Sequence, residues 1–243
     1  SSGEGSGLIG SLCLVSRLGA NQAQDREAWA WQMAGSVHGS ACMGAKFTLV
    51  GSGLAGGLLA GFLGRRGYEI ELFERRPDPR AGNTVGGRSI NLALSTRGIH
   101  ALQQLDLADE VLRHAIPMRG RMIHDKSGDL HFSPYDRDPN KSINSIGRDI
   151  LNTVVIEAAQ RYANVRVQFN QRCTDVDLDA PSADFVDART GATSTHRSDA
   201  IIGVDGAFST VRGSMQRRNR FEYSQSSLDP GYKELTLPQA ADG

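Results

Sequence analysis

Residues 46 to 74 constrain this chain more than any other stretch. Lys46 to Val50 (KFTLV) is a short apolar run with β-branched members, which predicts a strand, and it runs straight into Gly51-Ser52-Gly53-Leu54-Ala55-Gly56. Leu54, Leu58, Leu59, Phe62 and Leu63 then recur at helical spacing, with Gly67 as the stop. Tyr68 to Glu74 (YEIELFE) alternates as a strand does and halts at Arg75-Arg76-Pro77. A strand, a helix and a strand in about 30 residues join through a crossover, which makes the two strands parallel.

The glycines between the first strand and the helix each have a physical reason. Gly51 allows the tight turn, Gly53 lets backbone approach a pyrophosphate, and Gly56 lets the helix pack against the strand. The helix start then offers free N–H groups and a positive dipole end to phosphate. Glu74, at the end of the second strand, is placed to accept hydrogen bonds from a ribose. The pattern predicts a dinucleotide site without separating FAD from NAD. The expected fold class is α/β, a Rossmann-like domain with a parallel central sheet.

The remaining signals fit that frame. Ser95 or Thr96 is a candidate cap for a helix through Ile99, Leu102 and Leu105. A second helix is predicted over Asp149 to Tyr162, with Leu151, Val154, Val155 and Ala158 as its apolar stripe. Val165 to Phe169 reads as a strand, and Asp175 to His196 as short antiparallel strands turned at Arg189-Thr190-Gly191. Ala200 to Val204 is a fully apolar strand leading into Asp205-Gly206. The first 45 residues carry no sustained period and are expected to stand outside the fold, with Met43 as a plausible native start.

Composition removes several function classes. Lys+Arg and Asp+Glu both number 27, and this balance argues against a nucleic-acid surface, which needs uncompensated cations. The three cysteines lack metal-ligand spacing, and His114, His124 and His131 share no helical face, so no metal site is expected. The longest apolar run, Gly53 to Gly64, falls short of the roughly 20 residues that span a bilayer. Leu8 to Val15 follows Glu4 rather than a basic segment and is read as not secretory. A cytoplasmic location is expected if the source is bacterial.

Gly203-Val204-Asp205-Gly206-Ala207-Phe208-Ser209-Thr210-Val211-Arg212 resembles the GxDGxxSxVR segment of the flavoprotein aromatic hydroxylases. Within that superfamily, Gly87 to Ser95 (GRSINLALS), Ile116-Pro117-Met118, Arg121 to His124 (RMIH), Phe221 to Gln225 (FEYSQ) and Gly231 to Leu235 (GYKEL) resemble the kynurenine 3-monooxygenases. The resemblance implies bound FAD, reduction by NADPH, and transfer of one oxygen from O₂ to the ring of L-kynurenine. It sets Ala55, Glu74, Arg76, Ala93, Arg148, Cys173 and Thr210 against the FAD, and matches Asp205 and Gly206 to the shared flavin segment. Arg121 and Tyr135 fall in the substrate pocket, a guanidinium fork for the α-carboxylate and a ring with a hydroxyl donor. No protein residue is expected to act as an acid, base or nucleophile, since the flavin supplies the chemistry.

The implied division is an FAD-binding domain over residues 46–115 and 145–214, with 116–144 and 215–243 beginning a β-rich substrate domain. Two departures stand out. Pro230 occupies a position where the family usually has His, and the family continues for roughly as long again past Gly243. The expected consequence is an unfinished substrate cover, with weakened FAD binding and turnover in this piece. Two alternatives remain open: a sister hydroxylase of another aromatic acid, and a non-catalytic FAD-binding fragment.

Overall fold

The computed structural model describes residues 13–16, 44–81 and 91–226. Met43, Gly87 to Ile90, Pro230 and Gly231 to Leu235 lie outside the described residues.

A five-stranded sheet forms the centre. Its order is β1 (Cys13–Ser16), β13 (Ala200–Gly203), β2 (Lys46–Val50), β3 (Glu69–Phe73) and β9 (Val165–Gln168). The last four are parallel, as the crossover argument requires, and every residue of β13 is buried. Strands covered on both faces read as continuous apolar runs, which is why Ala200 to Gly203 shows no alternation. Strand β1 pairs antiparallel with the outer side of β13, so part of the segment expected to stand outside the fold lies on the sheet.

Helices α1 (Leu54–Arg65) and α4 (Arg148–Gln160) cover one face. The sequence marks the leucines of α1 as its apolar stripe. The residues it buries most deeply are instead Gly56, Gly57, Ala60, Gly61 and Gly64, while Leu58, Leu59, Phe62 and Leu63 stay partly buried. The small residues let α4 lie close: a β-carbon on Gly57 would come within 2.9 Å of Val155 Cγ2. From α4, Leu151, Val154, Val155 and Ala158 enter the core as predicted, joined by Ile156 and Ala159.

Strands β10 (Gln171–Asp177), β11 (Ser182–Asp187) and β12 (Thr193–Arg197) form an antiparallel sheet whose core residues join those of the central sheet on the other face. Phe73 of β3 stacks on Phe185 of β11 with ring centroids 4.0 Å apart, and His196 meets Phe73 edge-on. Beside that stack, Glu71 bonds Lys46 at 2.8 Å and approaches His196 at 3.4 Å. Burial pushes the Glu71 carboxyl up, but Lys46 and His196 outweigh it and hold the group below its ordinary value.

Between β3 and α4, the chain builds β4 (Asn91–Leu94), α2 (Thr96–Gln103), the short α3 (Ala108–Leu112), β5 (Ile116–Met118), β6 (Gly120–His124), β7 (Leu130–Pro134) and β8 (Ile143–Gly147). Ser95 takes the N-cap position of α2, but its hydroxyl makes no capping bond. Strands β4, β8 and β5 form one antiparallel sheet, and β6 and β7 a separate hairpin. Helix α5 (Thr210–Gln216) follows β13.

Candidate functional site

The turn after β2 behaves as its glycines require. Gly51 has φ of +104°, and a β-carbon there would sit 2.7 Å from the Val204 carbonyl oxygen. A β-carbon on Gly56 would lie 1.9 Å from the Gly51 oxygen. Gly53 is different. Its φ is −66°, and a side chain there would meet nothing within 4 Å. Neither strain nor packing within the described residues demands glycine at this position, so what a side chain would obstruct is approach from outside.

Gly53 is the N-cap of α1, which has no side-chain cap and no acidic residue in its first turn. Among the described residues, no side chain therefore bonds its first N–H groups. Glu74 stands beside this end, half-buried. Its Oε2 accepts from the Ser52 N–H at 2.9 Å and from the Ser52 hydroxyl at 3.3 Å, and its Oε1 accepts from the Arg76 N–H at 2.9 Å. Both oxygens are thus oriented; the two lone pairs of Oε2 are engaged, and Oε1 keeps one for a further donor. Ser52 is a residue that sequence reasoning missed, because it occupies a variable position of the glycine pattern. Ala55 is small and exposed in the first turn, and Arg76 is exposed behind Glu74.

The turn after β13 lies against the first. Gly206 has φ of +80°. Asp205 points back into its own helix: Oδ2 accepts from the Thr210 N–H at 2.6 Å and more loosely from Val211, while Oδ1 accepts from the Ser209 hydroxyl at 2.6 Å. Ser209 caps α5 by accepting from the Arg212 N–H at 2.9 Å. The Arg212 guanidinium bonds the Gly206 and Ala207 carbonyls and closes the turn. Thr210 Oγ1 donates to the Cys173 carbonyl at 3.3 Å, so these two expected cofactor residues meet. The thiol of Cys173 is buried, and burial, then the charges of Asp205, Asp175 and Asp184, push it up to about 12. That favours a packing contact over thiol chemistry.

Ala93 and Arg148 come together through the β4–β8 pairing, with Ala93 opposite Ser145 and Asn91 opposite Gly147, the residue before Arg148. Arg121 and Tyr135 lie on the β6–β7 hairpin. Arg121 pairs with Ser133, and Tyr135, whose N–H bonds the Arg119 carbonyl, is two residues on, so both side chains share one face as diagonal neighbours. Both are exposed, and among the described residues no hydrogen bond joins this hairpin to either turn. The hairpin also exposes Met122, Leu130 and Phe132.

No helix among the described residues is long and apolar enough to cross a membrane.

The FAD binding domain family matches residues 45–233. The chain is 46% identical over 196 residues to a kynurenine 3-monooxygenase of Myxococcus xanthus, covering 81% of this chain and 42% of that protein. It is 45% identical over 195 residues to one of Anopheles gambiae, covering 80% and 40%. The chain therefore spans about two fifths of the length of these curated relatives. Among solved structures, it resembles the flavin-dependent monooxygenase PieE in complex with FAD and substrate, with a TM-score of 0.61 and 24% identity, over 72% of this chain and 32% of that one.

Proposed function

The chain belongs to the FAD-binding domain family, and from that premise we propose that it is the cofactor-holding part of an enzyme that hydroxylates L-kynurenine to 3-hydroxykynurenine, with NADPH as reductant and O₂ as oxygen source. The observation that carries the cofactor reading is the bare N-terminus of α1, with a carboxylate already oriented beside it. When bound, FAD supplies the redox and oxygen-transfer chemistry.

The residues present fit that group. The first N–H groups of α1, with Gly53 leaving the approach open, are suited to a pyrophosphate. Glu74 accepts a ribose hydroxyl with the Oε1 lone pair that Arg76 leaves free, and Ala55 keeps the first turn unobstructed. Ala93, Arg148, Cys173, Thr210, Asp205 and Gly206 border the cofactor through backbone and packing. Arg121 holds the substrate's α-carboxylate by paired charge-assisted hydrogen bonds, and Tyr135 supports the aromatic ring. Their shared face on the hairpin supports this reading, as do the names of the relatives. Residues 116–144 and 215–243 belong to the substrate side. In a bacterial host, the enzyme is cytoplasmic.

Two measurements test this. The chain should bind FAD, read by the change in flavin fluorescence on titration. The complete protein should oxidise NADPH faster when kynurenine is added and release hydroxykynurenine. Stimulation by a hydroxybenzoate but not by kynurenine would mean a sister hydroxylase, and FAD binding without turnover in the complete protein would mean a non-catalytic module.

A further inference from the structure

Strand β10 is not regular. Its pairing with β11 steps from Cys173–Phe185 to Asp175–Asp184, so Thr174 is an extra residue and the strand carries a β-bulge. Burial shows the consequence. Cys173 and Val176 are three residues apart, which a regular strand sends to opposite faces, yet both enter the same core cluster. Asp175, between them, is turned outward instead.

Outward at this point means toward α5. Asp175 Oδ1 accepts from the Ser214 hydroxyl at 2.9 Å and from the Arg217 guanidinium. One turn earlier, Thr210 donates to the Cys173 carbonyl. Thr210, Ser214 and Arg217 stand at i, i+4 and i+7, which is one face of a helix. The bulge thus holds α5 by polar contacts along its whole length, and Ser214 is buried where it meets the carboxylate. The N–H of Val176, the Ser214 hydroxyl and Arg217 hold the Asp175 carboxyl below its ordinary value, so it is the charged acceptor that these donors require.

What moves with α5 is the second corner, because Asp205 bonds the Thr210 N–H and the Ser209 hydroxyl. In the sheet, β13 and β3 flank β2 on opposite sides, which sets this corner across the bare end of α1 from Glu74. With the adenosine ribose at Glu74 and the pyrophosphate on α1, the part of the cofactor left to this corner is its flavin half. We infer that Asp175 is a positioning residue for that half: acting through α5 rather than by contact, it fixes where the Asp205–Thr210 turn stands beside the cofactor. The inference rests on the FAD reading of the α1 corner.

The test uses the complete protein freed of flavin. Asp175→Ala should bind FAD about 3- to 10-fold more weakly, the size of one hydrogen bond, and should alter the visible circular dichroism of the bound flavin. ADP, which has the pyrophosphate and adenosine but no flavin half, should bind as it does to the wild type, and this also shows that the variant is folded. Asp175→Asn keeps an acceptor for Ser214 and gives up only the half-exposed ion pair with Arg217, so FAD affinity should return to within about twofold of wild type. Ser214→Ala cuts the same contact from the helix side and should reproduce the loss, and it serves in place of Asp175→Ala if that variant does not fold. Wild-type FAD affinity in either alanine variant, an equal loss of ADP binding, or an asparagine variant as weak as the alanine one would each overturn the assignment. A wild-type protein that takes up neither FAD nor ADP would instead remove the reading beneath it.

Discussion

The two corners at the carboxyl edge of the parallel sheet are built alike and finished oppositely. Each follows one of two neighbouring parallel strands, turns on a glycine with positive φ, and starts a helix. After β13, Asp205 and Ser209 satisfy the first N–H groups of α5 from within the protein. After β2, the N-cap of α1 is Gly53, and no side chain among the described residues takes that role. A glycine N-cap costs only about a few tenths of a kcal/mol relative to Asp, Asn or Ser, so the bare end is cheap to keep. The bare corner makes sense where an external anion replaces the cap, and the self-capped corner serves to hold shape. The corners also touch, since Gly51 has no side chain and the Val204–Asp205 backbone fills that space.

The comparison breaks first where the bare corner is tightest. Gly56→Ala must displace backbone, because its β-carbon would lie 1.9 Å from the Gly51 oxygen. The expected cost is about 3 kcal/mol or more in urea unfolding, with FAD binding lost. A variant within about 1 kcal/mol of wild type would mean that the turn is looser than described.

Gly53→Asp converts one corner into the other. The extended backbone at Gly53 suits an aspartate N-cap, and its β-carbon would meet nothing. The flavin-free chain should gain about a few tenths of a kcal/mol from the cap, and up to about 1 with the negative charge at the helix start, while FAD affinity falls about 100-fold, or about 2.7 kcal/mol. Opposite signs in the two measurements are the signature. Unchanged FAD affinity would show that the helix end does not carry the phosphates.

What the sequence reveals of these corners follows from how local the determinants are. The β2–α1–β3 unit is legible because hydrophobic period, glycine spacing and strand-end acid all lie between Lys46 and Glu74, and backbone pairing repeats regularly over that span. The Ser209 cap is legible for the same reason, as donor and acceptor are three residues apart. The glycine face of α1 is not: which side of the helix is buried depends on α4, about a hundred residues on. The Ser52–Glu74 contact and the Thr210–Cys173 contact are likewise products of packing between distant segments. The β1 pairing was missed because a four-residue strand carries too little pattern to stand out from its surroundings. Arg121 and Tyr135 share a face, yet nothing in the hairpin's own sequence says what it faces.

The self-capped corner gives the next prediction. Asp205→Ala removes bonds to the Thr210 N–H and the Ser209 hydroxyl and should cost about 1–2 kcal/mol in stability. Its effect on FAD affinity should stay well below that of Gly53→Asp, because the carboxylate serves the protein's own helix. A loss of FAD binding as large as that of Gly53→Asp, in a variant that remains folded, would show that Asp205 meets the cofactor directly and that the corners differ less than their caps suggest.

The smallest effect belongs to Ser52→Ala. The substitution deletes the 3.3 Å hydroxyl bond to Glu74 but keeps the backbone N–H at 2.9 Å, so the carboxylate loses one of its three anchors. A modest loosening of Glu74 should weaken FAD about two- to fivefold, with stability within about 0.5 kcal/mol of wild type. In a Glu74→Ala background, the same change should do nothing further, because the hydroxyl acts only through that carboxylate. If Ser52→Ala weakens FAD by the same factor whether or not Glu74 is present, the serine acts on the cofactor by another route. The bare corner would then owe its selectivity to the loop itself rather than to an acid preset at its edge.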